Sequence, residues 1–189
     1  MSDDLTPDSI PKQPQQAPQE QEMSEFAVTE QEAQMAMDVF RSEQNILVGS
    51  LAGLIAAVTG GAIWAGVTVA TEYQIGWMAV GVGFMVGIAI RTAGKGIDQV
   101  FGIVGAVMSL IGCLLGNLFT VAYFISAQTG GSMMGVLGQM DLDIMIELLT
   151  ATFQVIDILF YGMALYFGYR YAFRQLTTED FDRALGRAM

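Results

Sequence analysis

Charged residues drop out of this chain in long intervals. From Ile46 to Ala70 there is none, from Ile75 to Ile90 there is none, and from Gln99 to Phe124 there is again none. A helix rises 1.5 Å per residue and the hydrocarbon core of a bilayer is about 30 Å thick, so roughly 20 apolar residues cross it. The pattern predicts four spans, at residues 46–70, 75–91, 99–126 and 150–172. The stretch from Ile75 to Phe124 organises the rest. Two apolar segments flank the short basic turn Arg91-Thr-Ala-Gly-Lys95-Gly-Ile-Asp98, which reads as a pair of antiparallel membrane helices. The expected fold is all-α, a polytopic membrane protein built as a four-transmembrane-helix bundle with Gly-rich packing faces. Between the third and fourth spans, Asp141 to Leu149 either extends the fourth helix or forms a short helix on the membrane surface.

The flanks differ in character. Residues 1–22 hold all four prolines and very few apolar side chains, a composition that cannot bury enough surface to offset ordering entropy. They are expected to be a disordered, acidic tail. Residues 23–45 read as an amphipathic juxtamembrane helix: Ser24 stands at its start, and Phe26, Ala33, Met37 and Phe40 recur at helical spacing. The mixed-charge tail 174–189 carries Leu176, Phe181 and Leu185, enough for a short interfacial helix.

Small residues recur along the spans. In the first, Gly49, Gly53, Ala57, Gly61 and Ala65 stand four apart; in the second, Ala79, Gly83 and Gly87 keep the same step. In the third, Gly102, Gly105, Ser109, Gly112 and Gly116 alternate steps of three and four, the seam of a coiled-coil-like crossing. Lipid supplies no hydrophobic force between helices, so association depends on close van der Waals approach, which such stripes permit. The stripes serve contacts within one chain or between chains.

Composition agrees with a membrane class: 53% of residues are hydrophobic and 14% charged, against about 25% charged in soluble proteins. The net charge of -11 is local, because 10 of the 19 acids precede Asn45. No basic stripe for nucleic acid exists. Cys113 is the single cysteine and there is no histidine, which excludes an intramolecular disulfide, a Cys/His zinc site and any Ser-His or Cys-His nucleophile. The first apolar run lies behind an acidic segment rather than a basic start, so it reads as a retained helix and not a cleaved signal.

The basic residues sort by side. Lys12 and Arg41 precede the first span, Arg91 and Lys95 lie between the second and third, and Arg170, Arg174, Arg183 and Arg187 end or follow the fourth. The other two connections hold Glu72, Asp141, Asp143 and Glu147 without Lys or Arg. Lys and Arg are retained in the cytoplasm, so both termini are expected there. Trp64, Tyr73, Trp77 and Tyr123 then fall near the outer interface, and Tyr166, Tyr169 and Tyr171 near the inner one.

Candidate chemistry is sparse. Gly94-Lys95 lacks the flanking Gly and Ser/Thr of a phosphate loop, since Ala89 and Gly96 stand there. Met133, Met134, Met140 and Met145 could bind Cu(I), but their spacing is irregular and methionine is a common filler; no cofactor is expected. What is left is polar and intramembrane. Asp157 lies about seven residues inside the fourth span, Asn117 falls at similar depth on the third, and Gln154 is one turn from Asp157. Ionisable residues at such depth are functional candidates; the plainer reading is an Asp hydrogen-bonded to the third helix.

The segments Ile75-Gly-Trp-Met-Ala-Val-Gly-Val-Gly with Gly94-Lys-Gly, and Asp157-Ile-Leu-Phe-Tyr-Gly with Gly168-Tyr-Arg, resemble those of small bacterial four-helix inner-membrane proteins. The resemblance spans roughly Ile46 to Arg174. It implies a bacterial inner membrane and brings no activity or catalytic residues. The expected function is that of a structural or accessory subunit rather than an enzyme, with the lipid bilayer and a homo-oligomer or larger membrane complex as partners. The alternative is a small oligomeric transporter or channel using Asp157 and Asn117.

Overall fold

A computed structural model describes residues 29–187, and all regular structure among them is helical. Eight helices follow in order: α1 (Glu30–Glu43), α2 (Ile46–Thr71), α3 (Trp77–Gly94), α4 (Gln99–Thr129), α5 (Met133–Gln139), α6 (Leu142–Thr152), α7 (Val155–Tyr171) and α8 (Thr178–Ala184). The expectations for residues 1–22, Ser24 and Phe26 lie outside the described residues.

Local chemistry sets the helix ends. At α1, Thr29 and Glu32 form a capping box: the Glu32 N–H donates to Thr29 Oγ1 at 3.3 Å, and the Thr29 N–H donates to Glu32 Oε2 at 3.0 Å. Asn45 caps α2 by accepting from the Val48 N–H at 3.1 Å. At the far end of α3, Lys95 takes a left-handed conformation (φ 50°) and its N–H donates to the Arg91 carbonyl. That closure turns the chain sharply into α4.

Three helices, α2, α3 and α4, are long and apolar enough to cross a membrane; α6 and α7 make a fourth candidate only as a pair bent by 109°. Here the structure departs from the expected span at 150–172. The helix stops at Thr152, passes through extended backbone at Phe153 and Gln154, and restarts at Val155. No glycine or proline marks the break. The new N-terminus is capped: the Gln154 N–H donates to Asp157 Oδ2 at 2.8 Å, satisfying a donor that the broken helix would otherwise leave free. Residues 141–149 therefore neither extend α7 in line nor stand apart from the break, because they belong to a separate helix that turns away from it.

The four long helices pack as two layers around a central pair. α3 and α4 touch each other, and each touches both α2 and α7, which lie on opposite sides and have no backbone contact among the described residues. α2 and α4 run in one direction and α3 and α7 in the other. The buried core runs between them through Ala57, Val82, Val86, Ile90, Cys113 and Ala164. Trp64 belongs to this core too. It is 1% exposed and faces the bundle interior: it packs on Gly116 and reaches across the gap between α2 and α7 to the Tyr161 ring, edge-on at 6.5 Å.

One end of the bundle gathers α1, the α3–α4 turn and α8. The Asn45 N–H donates to the Gly94 carbonyl at 2.9 Å and the Arg174 N–H to the Gly96 carbonyl at 2.7 Å, which ties both the chain entering α2 and the chain leaving α7 to that turn. The α2–α3 turn, α5 and α6 occupy the opposite end.

Candidate functional site

The sequence singles out Asp157, Asn117 and Gln154, and the structure brings all three to the corner where α6 meets α7. Asp157 is 6% exposed and Asn117 3%. Their partners differ from the expected pair. Asn117 Nδ2 donates to Thr152 Oγ1 at 3.4 Å, tying α4 to the last turn of α6, while Asp157 accepts from the backbone of Gln154. Because the helix restarts at Val155, Asp157 lies in a first turn and not two turns deep. A carboxylate there meets the positive end of the α7 dipole. Gln154 contributes its backbone N–H, with its side chain exposed.

Sequence reasoning passed over two members of this corner. Thr152 is the acceptor for Asn117, and Tyr161 lies one turn beyond Asp157 on the stripe that continues through Ala164 and Gly168, all four buried. The Tyr161 hydroxyl is buried beside Asn117 and makes no hydrogen bond of full geometry. The signal was present: Asp, Tyr, Ala and Gly at positions 157, 161, 164 and 168 follow helical spacing.

The small residues fall into several contacts. A Cβ on Gly61 would lie 2.9 Å from the Gly112 carbonyl oxygen, and one on Gly112 would lie 3.1 Å from that of Ala57. Gly49 faces the Gly94 backbone at 3.2 Å, and Gly53 faces the Ile90 side chain at 2.7 Å. On the other side, Gly83 lies against the Ala164 backbone and Gly87 against the Gly168 carbonyl. The stripe on α4 does not form the single seam expected of it. Gly105 and Ser109 meet Gly168 of α7, whereas Gly112 and Gly116 meet α2, because the two outer helices cross α4 at different heights.

Three of the four methionines border two separate grooves. Met133 and Met134 border an apolar groove of about 520 Å³ with Ala62, Gly66, Phe119 and Tyr123, while Met140 borders a separate groove of about 560 Å³ beside Ile144 and Leu148. Among the described residues no three His, Cys, Asp or Glu side chains cluster at metal-binding range.

At the opposite end, charge organises the surface. Arg174, 16% exposed, pairs with Glu43 at 2.7 Å and Asp180 at 3.1 Å, and its guanidinium stacks over the Phe40 ring at 5.1 Å. Phe40 in turn meets Phe181 edge-to-face at 5.3 Å, and Arg187 pairs with Glu32. Lys95 reaches Glu43 and Arg41 reaches Asp98. The hydrogen bond from Arg174 holds the Glu43 carboxyl below its ordinary range. Asp180 is lowered by the Thr177 backbone and hydroxyl and then by Arg174, and Glu32 by the Thr29 backbone and hydroxyl.

Compared with known proteins, the chain matches no family model, no curated protein and no solved structure.

Proposed function

We propose that this chain is a four-span protein of a bacterial inner membrane with both termini in the cytoplasm, acting as a structural or accessory subunit that packs through small-residue helix faces. The carrying observation is the seating of α7. Gly83, Gly105 and Ser109 bring it as close to α3 and α4 as Gly61 and Gly112 bring α2 to α4, so α7 is a member of the bundle and not a peripheral helix. At 17 residues it is about 25 Å long, short for a span but sufficient when its first turn lies at the interface. Exposed Leu47, Leu51 and Ile55 on α2 and Ile158 and Leu159 on α7 suit a lipid-facing surface. The bent α6, near perpendicular to α7, then lies along the outer surface.

Orientation follows from charge. Contacts already place α1, the α3–α4 turn and α8 together, and this end carries Arg41, Arg91, Lys95, Arg170, Arg174, Arg183 and Arg187, so it faces the cytoplasm. The transporter reading has weaker support. Asp157 and Asn117 are buried within one chain, so a path formed between copies would bypass them.

Purification of the tagged full-length protein from native membranes in mild detergent tests the subunit role. A stoichiometric membrane partner, or a stable homo-oligomer that passes no ions or solutes in proteoliposomes, supports it. A monodisperse monomer without partner that conducts ions or solutes in proteoliposomes contradicts it.

A further inference from the structure

The groove of about 520 Å³ runs along the last turns of α2, at the end of the bundle that carries α5 and α6. Ala62, Ala65, Gly66 and Val69 line it from α2, Phe119 and Tyr123 from α4, and Met133, Met134 and Leu137 from α5. A Cβ added to Gly66 would meet nothing within 4 Å, so α2 stands open there. Among these side chains Tyr123 alone brings a hydroxyl. Ordered water needs several polar partners, and an empty void forfeits dispersion contacts on its lining, so the groove suits a hydrocarbon occupant.

Length and charge select that occupant. From Ala62 to the end of α2 at Thr71 the helix rises about 14 Å, close to one leaflet of a hydrocarbon core about 30 Å thick. Beyond Ala62 the same face of α2 continues through Val58, Ile55 and Leu51, all exposed and bulky. A helix from a second copy needs close approach along a whole span, and the small residues stop too soon for it. A single acyl chain fits within one leaflet. Glu72 closes α2 one turn beyond Val69, and Asp141, Asp143 and Glu147 are exposed at the same end. Every Lys and Arg among the described residues stands at the other end. Such an end repels an anionic headgroup and attracts an ammonium.

We propose that this groove holds one acyl chain of a phospholipid with an ammonium headgroup of the ethanolamine type, its amine among the carboxylates at that end. The bound chain also joins α5 to the bundle. α5 has no buried residue and among the described residues makes backbone contact with α4 alone, so hydrocarbon in the groove is what links it to α2. The proposal rests on the reading of α2 and α4 as membrane spans.

The test uses the purified full-length protein in bilayers of phosphatidylethanolamine and phosphatidylglycerol, with a trace of a phospholipid carrying a photoactivatable acyl chain and either headgroup. Labelled peptides are then mapped. Labelling of residues 62–69, 119–123 and 133–137 by the ethanolamine lipid is expected at roughly fivefold that by the glycerol lipid, the ratio that one favourable surface charge supplies. Gly66→Phe fills the groove and should abolish it, while Gly81→Phe, also built into open space but on α3, should leave it intact. The α2 face at Leu51 and Ile55 should be labelled alike in all three proteins. Groove labelling that survives Gly66→Phe, that never exceeds labelling of this α2 face, or that is equal for the two headgroups overturns the proposal. Absence of labelling on both surfaces overturns the span reading with it. Should Gly66→Phe fail to fold, competition in the parent decides: excess unlabelled phosphatidylethanolamine that displaces groove label ahead of the α2 face supports the site, and parallel loss at both overturns it.

Discussion

Gly83 and Ala164 meet backbone to backbone: a Cβ added to Gly83 would lie 2.5 Å from the Ala164 carbonyl oxygen and 2.9 Å from its Cα. Neither atom can swing aside as a side chain would. Gly83→Ala should therefore push α7 away from α3 and cost about 1–3 kcal/mol, the usual range for overpacking. Gly66 faces open space, so Gly66→Ala carries no such cost and gains up to about 1 kcal/mol of helix propensity. Gly53→Leu should cost at least as much as Gly83→Ala, because even its Cβ would lie 2.7 Å from Cγ1 and Cδ1 of Ile90, which is itself fully buried. Unfolding in mixed micelles ranks the variants; equal stability of the alanine pair would show that α7 is not seated by this contact.

Arg174 joins α1 to α8 through two carboxylates at once, a task suited to a forked guanidinium. Arg174→Ala should abolish hydrogen-exchange protection over residues 178–184, and Arg174→Lys should restore little of it. The pH dependence has a definite sign. Glu43 and Asp180 have folded values below their ordinary ones, so their contribution is complete above the ordinary carboxylate range near roughly pH 4 and is lost as pH falls through the lower folded values. Protection of α8 should hold from neutral pH to about 5 and decline only in stronger acid. Loss of protection already at pH 6 to 7 in the parent protein would count against the clasp.

Asp157 starts α7. Asp157→Leu leaves the Gln154 N–H without an acceptor and should cost about 1–2 kcal/mol, whereas Asp157→Asn keeps an acceptor oxygen and should cost less. Equal losses would mean that charge and not the hydrogen bond supports the break, and no loss in either would place Asp157 outside the fold's stability.

These residues also show which features were legible in the sequence. Uninterrupted apolar runs located α2, α3 and α4 to within a few residues, because length and hydropathy suffice for a membrane-length helix. The break before α7 was missed for want of a glycine or proline, though Gln154-x-x-Asp157 carried the signal, just as Thr29-x-x-Glu32 marked the start of α1. Four-residue spacing picked out Gly61 and Gly83 without naming their neighbours, since a stripe records a face and not what covers it. The pairing of Arg174 with Glu43, 131 residues apart in the chain, depends on how the whole bundle closes. No local pattern encodes it.

Four spans with both termini in the cytoplasm can be read out by a set of reporter fusions. A reporter active only outside the cytoplasm, fused after Gly130, Lys95 or Met189 of the chain, reads the side of each position. Activity is expected after Gly130 and none after Lys95 or Met189. Activity after Met189 would mean that α7 does not cross, and activity after Lys95 with silence after Gly130 would invert the orientation drawn from the Lys and Arg residues.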